Sequence, residues 1–394
     1  MRKNSLLLLL LCILPLSAQN VEKEKSTLLA EIEKNNTTLA ALRQKVIADK
    51  ETNNLDKALP DPSFDFSNTW GNQPQSVTSQ SYSIEQELDW GTLSGLRNKT
   101  RKSENKIVDF NYLLARQSLL AEADQLIVQL TYSNALCEEL SMREERSANL
   151  KYLYEKKFSA GDADQLELNK VRLSYTSSVA ELRQAKAERD EILENLQRLN
   201  GNHPINYLHT DYASNQLPTL GTLLQRAEIQ APQLAIASST IEREHRRLKL
   251  SKTEGLPNLN IGYAGSTAKG DNTNAITIGF DIPLWGNNRR KVKQQRAALT
   301  LAEMEKKDVE IQIKATLNRR YNNAYSLVQI AEQFRKELTV NEDISILDQA
   351  LEAGKLSLID YLNEISFYYS ARTQALEAER DSQLAISEVW NMFR

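Results

Sequence analysis

The chain contains few cysteines, which form the disulfides of small exported domains, and few histidines, which are common in metal and catalytic sites. Its 394 residues include two cysteines, three histidines, 13 glycines and nine prolines. Cys12 lies in an N-terminal apolar run, so Cys137 is left without an internal disulfide partner. The scarcity of glycine and proline favours long helices. After residue 20 no run of eighteen apolar residues occurs, which excludes a helical membrane protein.

The first twenty residues, MRKNSLLLLLLCILPLSAQN, combine a basic start, an apolar run and a small-residue end. This order predicts a signal peptide over residues 1–19, with lipidation of Cys12 left open. Loss of Arg2 and Lys3 changes the formal net charge from −3 to −5. An acidic exported chain is a poor candidate for binding nucleic acid.

The remaining sequence consists of two repeats, residues 20–200 and 219–394, joined by a polar connector at 201–218. Each half begins with a helical segment, at 21–55 and 219–253, that ends at Leu-Pro. Two alternating segments and a Trp-Gly pair follow before a long charged helix. The halves therefore predict strands at about 62–70 and 79–90, and at about 258–267 and 274–285.

The second strand of each half has one apolar and one polar face. Tyr82, Ile84 and Leu88 alternate with serine and acidic residues, with only Gln86 breaking the apolar face. In the other half, Ile276 and Ile278 alternate in the same way with Thr277 and Gly279. A period of two indicates a strand whose two faces meet different environments.

After each Trp-Gly the apolar residues recur at helical spacing and form coiled-coil seams. A helix from about residue 93 to 158 would be about 100 Å long, too long for one globular domain. Each half has one break in its helical pattern, at Ala-Gly: Gly161 and Gly354. Glycine is a natural helix cap, so each half predicts a long helical hairpin that turns at this glycine.

Four amphipathic strands cannot cover their own apolar face, because the neighbouring helices already pack along their seams. A lipid-facing barrel solves this problem, but lipid cannot satisfy an open sheet edge. Two copies would close a barrel of about eight strands, and three copies one of about twelve. Trp70, Trp90 and Trp285 lie at strand ends, where indole rings occupy membrane interfaces.

This duplicated order of helix, two strands and helical hairpin, with Leu-Pro, Trp-Gly and Ala-Gly at equivalent places, resembles the TolC-type outer-membrane efflux proteins. The resemblance covers nearly the whole mature chain. It implies a mainly α protein with a transmembrane β-barrel, in which three copies form a twelve-stranded barrel continued by a periplasmic helical tunnel. It further implies an exit duct without cofactor or enzymatic activity, working with a periplasmic adaptor and an inner-membrane transporter.

The resemblance also assigns roles to the two hairpin ends. Adaptor docking is expected at Phe158, Ser159, Ala160 and Gly161 in the first half, and at Leu351, Glu352, Ala353 and Gly354 in the second. Glu167 and Asp360 match carboxylates that ring the tunnel constriction in relatives, where three copies would favour cations and raise one another's pKa. Asn363 stands where a second carboxylate is expected, and Leu351 and Leu356 replace polar residues that hold the tip closed in relatives.

Two other interpretations remain open. A soluble periplasmic coiled-coil adaptor or scaffold would bury the alternating segments in a soluble sandwich. A duct for type I protein secretion would differ only in its partner transporter. The sequence does not specify the cargo, and it contains no phosphate loop, HExxH or nucleophile-elbow motif. Its four methionines are too few to suggest a copper relay, and no metal site is expected.

Overall fold

The computed structural model describes residues 13–55, 59–70, 79–213, 217–268, 271–283, 287–340 and 344–393. The expected signal peptide therefore lies mostly outside the described residues, as do Trp285 and residues 71–78 of the first predicted loop. In the second half the loop expected between the strands is largely absent, because the two strands extend to Ala268 and from Asp271, and only residues 269–270 between them lie outside the described residues. None of the helices in the described ranges is long and apolar enough to cross a bilayer.

Within the described residues, the first repeat contains five helices and two strands. They are α1 Ile13–Asn35, α2 Thr37–Leu55, β1 Ser63–Thr69, β2 Ser79–Leu88, α3 Trp90–Leu93, α4 Leu96–Ala160 and α5 Gln165–Leu199. The helix expected over 21–55 is broken at Asn36. The Asn36 side chain accepts a hydrogen bond from the Leu39 N–H at 2.8 Å and donates one to the Leu199 carbonyl at 2.8 Å. It thus starts α2 and ties it to the end of α5.

The second repeat follows the same order, and its first helical segment is likewise divided. Its elements are α6 Leu220–Gln230, α7 Pro232–Thr253, β3 Asn258–Ala268, β4 Asp271–Asp281, α8 Asn288–Val340, α9 Ser345–Glu352 and α10 Leu358–Trp390. Pro232 divides the helix expected over 219–253, because proline is suited to the first position of a new helix. One difference from the first repeat is that two helices, α8 and the short α9, lead to the second hairpin end, and residues 341–343 between them lie outside the described residues.

The four strands form one antiparallel sheet in the order β1-β2-β3-β4. Phe64 pairs with Ile84, Ile84 with Tyr263, and Tyr263 with Ile276. Directly paired residues share a face, so the apolar residues of all four strands lie together. That face carries Phe64, Phe66, Tyr82, Ile84, Leu259, Ile261, Tyr263, Ile276, Ile278 and Phe280.

The described residues divide into two compact units that cut across the repeats. One unit comprises residues 1–40, 115–229 and 314–394, and the other comprises 41–114 and 230–313. Each unit therefore takes segments from both halves of the sequence. The sheet belongs to the second unit, and both hairpin ends belong to the first.

Among the described residues, three apolar clusters are spread along the helices of the first unit. One cluster joins α1, α4, α5 and the connector, with Ile32, Ile127 and Leu196 almost fully buried. A second surrounds Cys137 and Leu182. The third lies at the hairpin ends. The connector is held to α4 by Asn134, whose side chain donates to the Tyr207 and His209 carbonyls at 3.2 and 3.1 Å.

A buried polar group links α1, α4 and α10 in the same unit. The Asp124 carboxylate is fully buried and forms an ion pair with Lys25 Nζ at 2.8 Å. It also accepts hydrogen bonds from Ser387 and, at 3.5 Å, from the Asn391 amide. A buried carboxylate is stable only while such partners remain, because its desolvation is costly.

We expect Lys25→Met to lower the free energy of unfolding by about 3 kcal/mol, because it leaves a buried charge without its cationic partner. Chemical denaturation in mild detergent, followed by far-ultraviolet circular dichroism, measures the change. Lys23→Met is the matched control, since Lys23 is exposed on the same helix. Equal stability of the two variants would contradict the assigned role of the ion pair.

Candidate functional site

Two features of the molecule qualify as functional surfaces: the apolar face of the sheet and the pair of hairpin ends. The sheet face is exposed to a degree that is unusual for large apolar side chains. Ile276 is 78% exposed, Ile278 67% and Phe64 65%. Among the described residues nothing covers this face, and β1 and β4 are each paired on one side only.

The opposite face of the sheet is polar. It carries serine, threonine and asparagine together with Asp65, Glu85, Glu87 and Asp281. The Asn258 amide donates to Glu87 at 2.6 Å, and the Asn260 amide donates to Asp281 at 2.8 Å. These bonds run across strands, as expected of a surface that faces water rather than a packed core.

The first Trp-Gly pair forms the junction between sheet and helix. Trp90 Nε1 donates to the Pro257 carbonyl at 2.7 Å, so this indole joins the junctions of the two repeats. Gly91 is buried where a side chain would collide with Leu250, at 2.6 Å from its Cδ1 atom. Trp70, at the other end of β1, is 73% exposed. Trp285, the third expected interface residue, lies outside the described residues.

The two hairpin ends have the same backbone geometry. Gly161 and Gly354 adopt φ values of +81° and +70°, the left-handed conformation that glycine tolerates best. The Asp162 N–H bonds to the Lys157 carbonyl at 2.8 Å, and the Lys355 N–H bonds to the Ala350 carbonyl at 2.9 Å. Both ends are therefore closed in the same way, which explains why both repeats place Ala-Gly there.

The residues expected to dock an adaptor differ in accessibility. Phe158, Ser159, Ala160 and Gly161 are exposed, as are Glu352, Ala353 and Gly354. Leu351 is only 7% exposed and belongs to the apolar cluster that joins the two ends. Its side chain is therefore unavailable to a partner while the ends remain packed as observed. The cluster comprises Leu150, Tyr154, Val171, Leu351, Leu358, Tyr361 and Ile365.

Glu167 and Asp360, the expected constriction residues, are equivalent helix-capping residues. Glu167 and Asp164 form a reciprocal capping box. The Glu167 N–H donates to the Asp164 carboxylate at 2.7 Å, and the Asp164 N–H donates to the Glu167 carboxylate at 3.0 Å. Ser357 caps α10 by accepting from the Asp360 N–H at 3.2 Å, and its hydroxyl donates to the Asp360 carboxylate at 2.6 Å. Asn363 is exposed one turn later.

A polar network that the sequence analysis missed ties α9 to its neighbours. Asp348 forms an ion pair with Arg146 of α4 and accepts a hydrogen bond from the Tyr361 hydroxyl of α10 at 2.7 Å. Burial, reinforced by the Asp348 charge, raises the pKa of Tyr361, so this hydroxyl remains a donor. Burial opposes the charge on Arg146, but the Asp348 carboxylate outweighs it and raises the pKa of the guanidinium.

A second network lies along the same two long helices. Glu139 is buried and bonds to Arg143 at 2.8 Å and to Arg372 at 3.3 Å. Arg143 also donates to the Tyr369 carbonyl at 3.0 Å and stacks on its ring. Burial raises the pKa of Tyr369 to about 12. The sequence does not signal the contacts that join α4 to α9 and α10, because Arg146 and Asp348 lie 202 positions apart and Glu139 and Arg372 lie 233 apart.

Within the described part of the chain, no group of three or more histidine, cysteine or acidic side chains could hold a metal ion. Cys137 is buried, and burial raises the pKa of its thiol, which disfavours the reactive thiolate.

Comparison with known proteins identifies the fold. No protein-family model matches the sequence, and no curated protein matches it. Solved structures do match. The Campylobacter jejuni CmeC outer membrane channel has a TM-score of 0.73 at 17% identity, over 94% of this chain and 85% of that one. The Vibrio cholerae outer membrane protein VceC has a TM-score of 0.72 at 13% identity, over 94% and 96%.

The open state of the Neisseria gonorrhoeae MtrE outer membrane channel also matches, with a TM-score of 0.66 at 13% identity, over 94% of this chain and 88% of that one. The chain therefore has the fold of outer-membrane channel proteins. The TolC-type resemblance read from the sequence is confirmed at this level, as are the long helices and the four-stranded sheet. Closure of the sheet by three copies stays a prediction.

We expect Asp348→Ala to loosen α9, because Arg146 and Tyr361 lose their shared partner. Loss of about 1 kcal/mol of local stability corresponds to about fivefold faster amide exchange in α9. Hydrogen–deuterium exchange with mass spectrometry resolves this segment. Glu352→Ala is the control, since Glu352 is exposed in the same helix. Equal exchange rates in the two variants would refute the role of the network.

Proposed function

We propose that this protein is the outer-membrane exit duct of a tripartite efflux system. Three copies close a twelve-stranded barrel, and their long helices form a tunnel in the periplasm. Substrate enters from an inner-membrane transporter through a periplasmic adaptor. The observation that carries the proposal is the sheet in which one face is apolar and exposed, the other is polar, and both edges are open.

The environment of the sheet follows from its chemistry. Lipid favours the exposed isoleucine and phenylalanine side chains, and the polar face then lines a water-filled interior. The N–H and C=O groups at the edges of β1 and β4 require partners, since hydrocarbon offers none. Neighbouring copies supply them. Three copies are favoured over two, because about eight strands leave an interior filled by side chains and about twelve leave a conduit.

The exposed hairpin ends are the docking surface for the adaptor. Phe158 and the adjacent glycine turns offer an apolar side chain beside closed helix ends. Glu167, Asp360 and Asn363 remain our candidates for the tunnel constriction. In the single chain, the two carboxylates serve as helix caps, and this alone explains their positions. A ring of carboxylates at the constriction would form only when three copies assemble.

The exposed sheet face argues against one of the two alternative functions, the soluble adaptor, and does not distinguish the other, the secretion duct. A soluble adaptor or scaffold would cover the apolar sheet face within the chain, whereas that face is uncovered among the described residues. A duct for protein secretion would share every feature of the fold. We propose efflux of small cargo, either cations or drugs. The partner transporter determines which of these two classes is transported.

Substitution on the two faces of β4 tests the barrel. Ile278→Lys places a charge in lipid, which costs about 2–4 kcal/mol near the bilayer centre, whereas Thr277→Lys places the same charge in water. We expect the wild type and Thr277→Lys to yield a trimer, by native mass in mild detergent, from isolated outer membranes. Ile278→Lys should yield much less. Equal yields, or a monomer released without detergent, would refute a lipid-facing barrel.

Substitution at the hairpin ends tests adaptor docking. Phe158→Asp should leave trimer yield unchanged but reduce efflux of a fluorescent substrate at least tenfold in cells that depend on this duct. Leu208→Asp makes the same apolar-to-acid change at an exposed connector position and should retain transport. Normal efflux by the Phe158→Asp variant would contradict the proposed role of Phe158 in adaptor docking. It would leave the proposed barrel unchanged.

A further inference from the structure

The start of α8 carries an exposed cationic stripe, which we define as Arg289, Lys293 and Arg296. These residues are spaced four and three apart, so they lie on one side of the helix. All three are exposed. The segment from 282 to 302 contains no acidic residue, although it contains two further cations, Arg290 and Lys291. The stripe therefore has no acidic residue within the first four turns of its own helix.

The equivalent helix start in the first repeat is organised differently. Arg97 pairs with Asp89 at 3.1 Å, and Arg101 donates to Asn54 and to Asn98. In α8, Lys291 pairs with Glu254 at 3.3 Å. Across the described ranges, by contrast, the stripe residues make no ion pair. Arg97 and Arg101 are thus engaged within the chain, whereas the three stripe residues are available to an external anion.

The position of these cations is unfavourable unless an anion binds. The first turn of α8 contains three basic residues and no acidic one. Positive charge near a helix N-terminus is opposed by the helix dipole, and like charges on one side of a helix repel. An external anion would offset both effects.

The stripe follows closely on the exposed apolar face of the sheet. Strand β4 ends at Asp281, and Arg289 lies eight residues later in the same compact unit. The polar headgroup layer of a bilayer is about 5–7 Å thick on each side. Over seven residues of helix the stripe spans about 10 Å, and long basic side chains extend toward the interface.

We propose that the cationic stripe of α8 binds the phosphate groups of anionic phospholipids in the membrane leaflet that faces the periplasm. Arginine offers paired donors to phosphate, and lysine adds a compact charge. Continuity with the apolar sheet face favours lipid over an acidic surface of another copy. This inference rests on the proposed function, because it requires the sheet to lie in a membrane.

Quenching of tryptophan fluorescence by brominated lipids tests the inference. The trimer is reconstituted in bilayers that mix phosphatidylglycerol with phosphatidylcholine, and bromine is placed on one lipid at a time. A basic side chain at a membrane surface contributes about fivefold to anionic lipid binding. We expect the wild type to prefer phosphatidylglycerol at least fivefold, and the triple variant Arg289→Gln, Lys293→Gln, Arg296→Gln to lose that preference.

A control removes three positive charges elsewhere. Lys170, Lys186 and Lys307 are exposed and are replaced together by glutamine. This variant should keep the preference, and 1 M salt should abolish it in the wild type because the charges are screened. A wild type without lipid preference, or a control that loses it equally, would overturn the inference while leaving the barrel intact.

Two further outcomes distinguish failure of lipid binding by the stripe from failure of the proposed membrane insertion. If the stripe variant dissociates into monomers, the stripe binds another copy and the lipid assignment is wrong. If neither brominated lipid quenches fluorescence, the protein is not inserted in the bilayer. That result would overturn the proposed function and the inference together.

Discussion

Among the described residues the sheet has an exposed apolar face and two open edges, and the proposed assembly follows from this constraint. Its apolar residues lie on one face and are exposed, and its outer strands are paired on one side only. In lipid each unpaired backbone group costs several kcal/mol, so the edges must meet other edges. A barrel shared between copies satisfies both the apolar face and the edges, and the duct we propose follows from that closure.

The hairpin ends show how one arrangement can serve both stability and docking. Gly161 and Gly354 close the helices in the same left-handed conformation and leave their surroundings exposed. Beneath them, Leu351 and the Asp348 network hold the two ends together. The caps also use the carboxylates of Glu167 and Asp360. A partner would therefore meet a preformed surface rather than two independent loops.

Duplication in the sequence does not produce two independent domains. Each repeat contributes two of the four strands and part of both compact units. Equivalent positions have also diverged. The helix start after β2 engages Arg97 and Arg101 within the chain, whereas the start after β4 leaves its cations exposed. Such divergence lets one repeat stabilise the chain while the other meets its surroundings.

The repeat, the alternating strands, the long helices and the glycine caps can be predicted from the sequence, because they depend on local spacing and backbone preference. The sequence also placed the apolar residues of β2 and β4 on one face, which the pairing register confirmed. The burial of Leu351, the division of the first helix at Asn36 and the ion pair between Arg146 and Asp348 are visible only in the folded chain. These features depend on side chains brought together from distant positions, and no local pattern encodes such encounters.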